Sequence, residues 1–487
     1  MKNVSPNDES GRPTVSISAG RVCGTTADGV RRFLGIPYAA APVGPRRFDR
    51  PAPHPGWADV RDAGSMGATA PQAPYRGGLG DLLPTVVVEG DEYLNLNIWA
   101  PADAAGLPVM VWVHGGSLAH GANALPGYDG SAFARDGVVF VAPNYRLASE
   151  GFSVLAGAPL NLGLADVLAA LRWVHAEIAA FGGDPEQVTV FGESAGSILL
   201  GALVAHPQAA SLFGRAILQS GMPGALPPEG AGRITRLVAE RLGRAATREA
   251  FADVPAAELV AAEQAVTAGG SPMTGGPGFT MAVDADLVPV EPMAALQAGG
   301  GSDITLLLGS NTEEYRLWFV PTGMLDRVGA LLFAGARLKF RITRRILAAY
   351  RANRPGASRG ELLGTLVGDL LLRLPINRVA DARLDRGAST YVYEFGWRSP
   401  VLDLGAAHAM ELPFVFDGLA TPDWRALTGD AAPQRLADDM HAAWVRFAKT
   451  GDPGWEPWDA RRPVRVFDHP ETRTVFAPRE DERAVWP

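Results

Sequence analysis

Gly192-Glu193-Ser194-Ala195-Gly196 is a G-x-S-x-G pentapeptide whose serine is placed to act as a nucleophile. Such chemistry needs a hydroxyl pushed outward on a sharp turn, with small neighbours that let strained backbone pass. The context supplies both: the β-prone run Val188–Phe191 enters, an apolar helical pattern leaves, and Gly192 and Gly196 flank Ser194. A second segment, Trp112-Val113-His114-Gly115-Gly116-Ser117, closes the buried-type run Pro108–Val113. Glycines after a strand leave backbone N–H groups free to face a developing negative charge, and each such donor is worth roughly 10²–10³ in rate. The donors expected are Gly116 and Ser117 from this loop and Ala195 just after the nucleophile. A serine with such donors suits acyl transfer through a covalent intermediate.

The elements that must position these residues alternate along the chain. Thr14–Ser18 and Tyr93–Trp99 read as strands, the latter with Leu94, Leu96 and Ile98 on one face and Asn95 and Asn97 on the other. Pro108–Val113 and Val138–Ala142 are continuous apolar runs, as expected of strands covered on both faces. Leu164, Val167, Leu168, Leu171, Val174 and Ile178 fall at helical spacing, and Gly182-Gly183 ends that helix. Further strands are expected at Gln187–Phe191, Ala216–Gln219, Ile304–Leu308 and Thr390–Phe395, with helices at Ser194–Ala205 and Leu436–Lys449. Strands alternating with helices predict an α/β fold with a central, mostly parallel twisted sheet. The mostly helical stretch from about 312 to 386 is expected to be an insertion over the sheet's C-terminal edge, where ligands bind in such folds.

Composition narrows the classes. The net charge of −8 over 487 residues argues against a nucleic-acid binder. The single cysteine, Cys23, excludes an internal disulfide and any cysteine-based metal cluster within one chain. Met1–Gly20 is polar without an apolar core, and the longest small and apolar stretch, Ala195–Ala205, is too short to span a bilayer. No stable membrane insertion and a cytoplasmic location are expected. No H-E-x-x-H, G-x-x-x-x-G-K-[ST] or G-x-G-x-x-G sequence occurs, and no metal or cofactor is expected.

The ordered motifs FLGIPYAAAPVGPRRF (Phe33–Phe48), YLNLNIWAP (Tyr93–Pro101), WVHGGS, NYRL (Asn144–Leu147), NLGLADVLAALRWV (Asn161–Val174), IAAFGGDPEQVTVFGESAGS (Ile178–Ser197), AILQSG (Ala216–Gly221) and HAMELPFVF (His408–Phe416) span nearly the whole chain. In these the chain resembles the type-B carboxylesterase/lipase family, which holds bacterial esterases, liver-type carboxylesterases, cholinesterases and the non-catalytic neuroligins. The resemblance implies one α/β-hydrolase domain over 1–487 rather than the three that length alone suggests. It implies a serine carboxylic-ester hydrolase acting on a small-molecule ester. The triad order of that fold is Ser, then Asp or Glu, then His. By the family pattern the acid falls in Gly309-Ser310-Asn311-Thr312-Glu313-Glu314, at Glu314 with Glu313 as the alternative. Tyr315 stands where the family usually has glycine. The base falls at His408, in the HAMELPFVF segment; of the other histidines after Glu314, His441 sits in a helical pattern and His469 precedes Pro470.

Departures bear on the substrate. Asp91-Glu92 occupies the stretch where secreted relatives carry a cysteine, and Ser65–Asp91 lacks the tryptophan with which cholinesterases hold choline. Leu118 is placed either on an acyl pocket or in the core. Asp284 and Asp286 match a family loop and read as structural. Arg337, Lys339, Arg341, Arg344, Arg345, Arg351 and Arg354 form an acid-free basic run, read as a solvated helix face or, alternatively, a face for a membrane surface or an anionic partner. Two rivals share the motifs: a catalytically inactive neuroligin-like binding protein, which the retained Ser194 and His408 disfavour, and an acyltransferase or amide- or carbamate-cleaving enzyme using the same triad. Oligomeric state is not legible.

Overall fold

A computed structural model describes residues 11–207, 211–268, 270 and 275–487. The first half of the polar stretch Met1–Gly20 thus lies outside the described residues. Eleven strands build the main sheet: β1 Thr25–Ala27, β2 Val30–Pro37, β3 Asn95–Pro101, β4 Leu107–Val113, β5 Val139–Pro143, β6 Gly183–Glu193, β7 Arg215–Gln219, β8 Thr305–Asn311, β9 Thr390–Phe395, β10 Pro463–Phe467 and β11 Arg473–Phe476. They lie in the order β11-β10-β9-β8-β7-β6-β4-β5-β3-β2-β1. The run from β10 to β5 is parallel throughout. Both edges are antiparallel, β10 with β11 on one side and β5-β3-β2-β1 on the other. This is the α/β-hydrolase architecture, a mostly parallel sheet flanked by helices. Thr14–Ile17 is also a strand, but it pairs with Gly20–Cys23 in a separate small sheet.

The continuous apolar runs have the physical reason expected of them. Along β4, Val109, Val111 and Val113 feed one hydrophobic core while Met110 and Trp112 feed the other. Side chains alternate across the sheet, so a strand covered on both faces must be apolar at every position. Two helices, α1 (Leu162–Glu177) and α2 (Ala195–Val204), cover the first face. Between β8 and β9 the chain is helical: α3 (Arg316–Phe319), α4 (Ala330–Lys339), α5 (Arg344–Asn353), α6 (Arg359–Gly368) and α7 (Leu374–Leu384). Much of this segment packs on a core of its own around Tyr315, Phe319, Phe333, Ile346 and Leu366. Helix α8 (Gln434–Thr450) covers the second face through Leu436, Met440 and Trp444. His441 is a packed residue of α8, its Nδ1 2.7 Å from the Val415 carbonyl oxygen.

The alternation in β3 is real, yet its amide face is not a solvent face. Asn95 and Asn97 are fully buried. Asn97 Oδ1 accepts from the Gly35 N–H at 2.8 Å, and Asn95 Nδ2 donates to the Ala68 and Glu92 carbonyls at 2.7 and 2.8 Å. Buried amides are tolerated when they are bonded in this way. Asp284 is likewise structural: its Oδ1 accepts from the backbone N–H groups of Asp286, Leu287 and Val288.

Candidate active site

Ser194 sits between the end of β6 and the first residue of α2, with φ 54° and ψ −119°. A non-glycine residue in that conformation is strained and persists only where its surroundings impose it. Here they do. The Ser194 N–H donates to the Gln219 carbonyl of β7 at 2.9 Å, and its carbonyl accepts from Ile198 of α2 at 2.9 Å. A Cβ on Gly196 would lie 1.9 Å from the Val113 carbonyl oxygen, so only glycine lets the start of α2 close onto the end of β4.

The end of β4 turns into the loop His114–Leu118. Gly116 has φ 111°, and Ser117 and Leu118 follow at 55° and 61°. The N–H groups of Gly116, Ser117 and Ala195 have no acceptor among the described residues, which leaves them available to an incoming oxygen. The loop is braced from behind by His114, which stacks on Tyr145 at 4.5 Å between ring centroids. Burial holds the His114 pKa down at about 4, against the opposing hydrogen bond to Gly115, so the ring is neutral. Leu118 is buried, with its carbonyl accepting from Ala148 at 2.6 Å.

His408 and Glu314 come from two loops beyond β9 and β8. Their contact, Nδ1 to Oε2, is 2.5 Å. Glu314 Oε1 accepts from the Asn311 N–H at 2.7 Å, and the His408 N–H donates to the Glu314 carbonyl at 3.2 Å. Glu313 points elsewhere: it pairs with Arg398 and lies 3.7 Å from Arg316. Tyr315 takes ordinary helical angles, φ −60° and ψ −21°, so the position does not need a glycine. Its ring is accommodated by Gly364 of α6, where a Cβ would come within 2.1 Å of it. Trp318 of α3 packs its indole on the His408 ring at 4.7 Å.

Two further carboxyl groups, not read from the sequence as site residues, complete the surroundings. Glu193 Oε1 lies 2.9 Å from His408 Nε2, an ionic approach without hydrogen-bond alignment. Ser194 Oγ makes no hydrogen bond to His408 in this structure; Nε2 faces Glu193 instead. Glu411 is fully buried and accepts from Asn311 Nδ2 at 2.6 Å and Gln219 Nε2 at 3.2 Å. Burial, with Glu193 and Glu314 nearby, pushes its pKa up to about 8 and keeps it neutral at pH 7. Burial likewise raises Glu193 despite His408. Burial opposes charge on His408, but Glu193 and Glu314 outweigh it and raise the imidazole well above its ordinary range. A carboxylate immediately before the serine, and another three residues after the histidine, were the available signals; neither spacing reveals that the group is buried.

Among the described residues no cluster of three or more His, Cys, Asp or Glu side chains could hold a metal ion, and no helix is long and apolar enough to cross a membrane. The sequence profile of the Carboxylesterase family matches residues 11–465. The chain is 35% identical over 479 residues to the para-nitrobenzyl esterase of Bacillus subtilis (strain 168), covering 95% of this chain and 94% of that protein. It is 36% identical over 465 residues to the phenmedipham hydrolase of Pseudarthrobacter oxydans, covering 91% of each. Among solved structures, the Geobacillus stearothermophilus carboxylesterase EST55 superposes with a TM-score of 0.87 at 34% identity, over 97% of this chain and 100% of that one.

Proposed function

The chain belongs to the carboxylesterase family and is a carboxylic ester hydrolase; we propose that it cleaves small-molecule esters through a Ser194–His408–Glu314 triad and an acyl-enzyme. The observation that carries this reading is the 2.5 Å contact of His408 Nδ1 with Glu314 Oε2 beside the strained serine turn. Neutral His408, turned from Glu193 toward the serine, takes the Ser194 proton as Oγ attacks the ester carbonyl. Catalytic hydrogen bonds of free enzymes often tighten only with substrate bound, which suits the resting position of Nε2. Glu314 fixes the tautomer with the proton on Nδ1 and stabilises the imidazolium once formed. The N–H groups of Gly116, Ser117 and Ala195 receive the tetrahedral oxyanion. His408 then protonates the departing alcohol, and water activated by the same ring releases the acid and restores Ser194. The half-buried Trp318 beside His408 gives the site an aromatic wall, favouring an apolar acyl or alcohol group. The scheme itself calls for no metal or cofactor.

The test is Ser194→Ala. Its circular dichroism and unfolding midpoint should match the parent, while turnover of p-nitrophenyl acetate falls by roughly 10³–10⁶-fold. Residual activity within tenfold of the parent would remove Ser194 as nucleophile. Mass spectrometry after treatment with a phosphonate ester should find the adduct on Ser194 and nowhere else.

A further inference from the structure

The basic run that the ester chemistry leaves unused borders a cavity of about 410 Å³ among α3, α4 and α6. That volume falls within the roughly 300–1,000 Å³ of small-molecule pockets. Its wall is apolar, including Phe319, Leu332, Phe340, Leu363 and Val367, and its one charged lining group is Lys339. The Lys339 ammonium lies 5.1 Å from the centre of the Phe340 ring, at the junction of cationic and apolar surface. Helix α4 leaves Leu331 90%, Leu332 51% and Leu338 83% exposed, an unusual amount of bare leucine for one helix. Next to it stand Arg341, Arg344 and Arg345, also exposed, and neither these nor Lys339 meets a carboxylate among the described residues. Arg354, later in the same run, is by contrast paired with Glu482.

An apolar hollow with a single cation at its rim, inside a wider uncompensated positive field, matches an amphiphile with one negative end. We propose that this cavity, which no triad residue lines, is a second ligand site for a medium-chain fatty carboxylate. The tail lies against Phe319, Leu332 and Leu363, and the carboxylate meets Lys339. The cavity has room for such a tail at one named point: a Cβ built on Gly335, which also lines it, meets nothing within 4 Å. This inference does not depend on the triad assignment.

The experiment is calorimetric titration of the full chain with sodium dodecanoate below its micellar concentration. Parent protein, Lys339→Glu and Gly335→Phe are compared, the latter filling the hollow from a helix interior where glycine is itself a weak choice. Saturable binding is expected in the parent, weakened at least about tenfold in Lys339→Glu and lost in Gly335→Phe. Hydrolysis of p-nitrophenyl acetate should be unchanged in both, and dodecyltrimethylammonium should not bind. Lys339→Glu alters an exposed side chain, so it keeps the test decisive should Gly335→Phe fold poorly. Absence of saturable binding, or binding equal in the parent and Lys339→Glu, overturns the proposal. So does co-sedimentation with phosphatidylglycerol vesicles without uptake of monomeric dodecanoate, which would make this face a lipid contact.

Discussion

His408 lies between two carboxylates, and this fixes the direction of its pH response. Burial works against the imidazolium, but Glu193 and Glu314 prevail and raise its pKa. A base must be unprotonated, so kcat/KM should be low in acid and climb as pH rises through this raised pKa. Replacing Glu193 with Gln removes one of the two charges, so the acid limb should shift to lower pH by roughly 1–3 pH units. A pH–rate profile for p-nitrophenyl acetate checks this; an unmoved limb would contradict it. The two adjacent acids should also separate. Glu314→Gln is expected to cripple kcat, whereas Glu313→Gln, which loosens contacts to Arg316 and Arg398 and perturbs the acceptor of the Ala406 N–H, should affect it less than tenfold. The proposed triad of Ser194, Glu314 and His408 could be singled out in the sequence because each residue sits in a dense run of motif residues. Glu193 and Glu411 could not, because what brings them beside the proposed triad is burial against partners far away in the chain. The Glu411 partner Gln219 is 192 positions distant.

At the scale of elements, the apolar runs were the most readable feature, since a strand covered on both faces has no polar positions to confuse the pattern. Strand β6 is longer than its apolar part: Gly183 pairs with Leu107, and after an interruption of the register the ladder resumes at Val188 opposite Val109, so the polar stretch around Asp184 is an irregularity that side-chain pattern does not report. The edge strands β1 and β11, short and polar, were invisible for the same reason. The NYRL motif finds its physical role in a buried clamp. Arg146 Nε and Nη2 donate to the Asp166 carboxylate of α1 at 2.8 and 2.7 Å, both side chains are fully buried, and Nη1 donates to the Asp49 carbonyl at 2.7 Å. Arg146→Met strands the Asp166 charge, and about 3–5 kcal/mol of stability should be lost. Urea denaturation measures it. The double change Arg146→Met with Asp166→Leu should recover part of that loss, since it leaves no unpaired charge behind.

Across the whole molecule, the last residues of the chain bind the helical segment to the sheet. Glu482, fully buried, pairs with Arg354, the residue that follows α5, and with Arg373 at 3.2 Å, and Arg373 also pairs with Asp369. Arg479 reaches Glu394 of β9, and Trp486 donates to the Tyr350 hydroxyl at 3.0 Å. The partners of Glu482, Arg479 and Trp486 lie 85 to 136 positions away in the chain, so no local window of sequence could have joined them. Glu482→Gln removes the negative charge shared by the buried Arg373 and the half-buried Arg354. Its expected effect is local opening: limited trypsin digestion should cut within residues 316–384 sooner than in the parent, while the parallel sheet stays protected. Uniformly faster digestion of the whole chain would show instead that this network holds the entire fold.

The packing of Trp318 against His408 has an optical consequence. An imidazolium quenches a neighbouring excited indole more strongly than a neutral ring, and the centroids here are 4.7 Å apart. Trp318 therefore carries a built-in emission signal for the charge on His408, readable in the resting protein with no ester present. The difference in fluorescence between the parent and Trp318→Phe, followed across pH, isolates that titration from the other ten tryptophans of the chain.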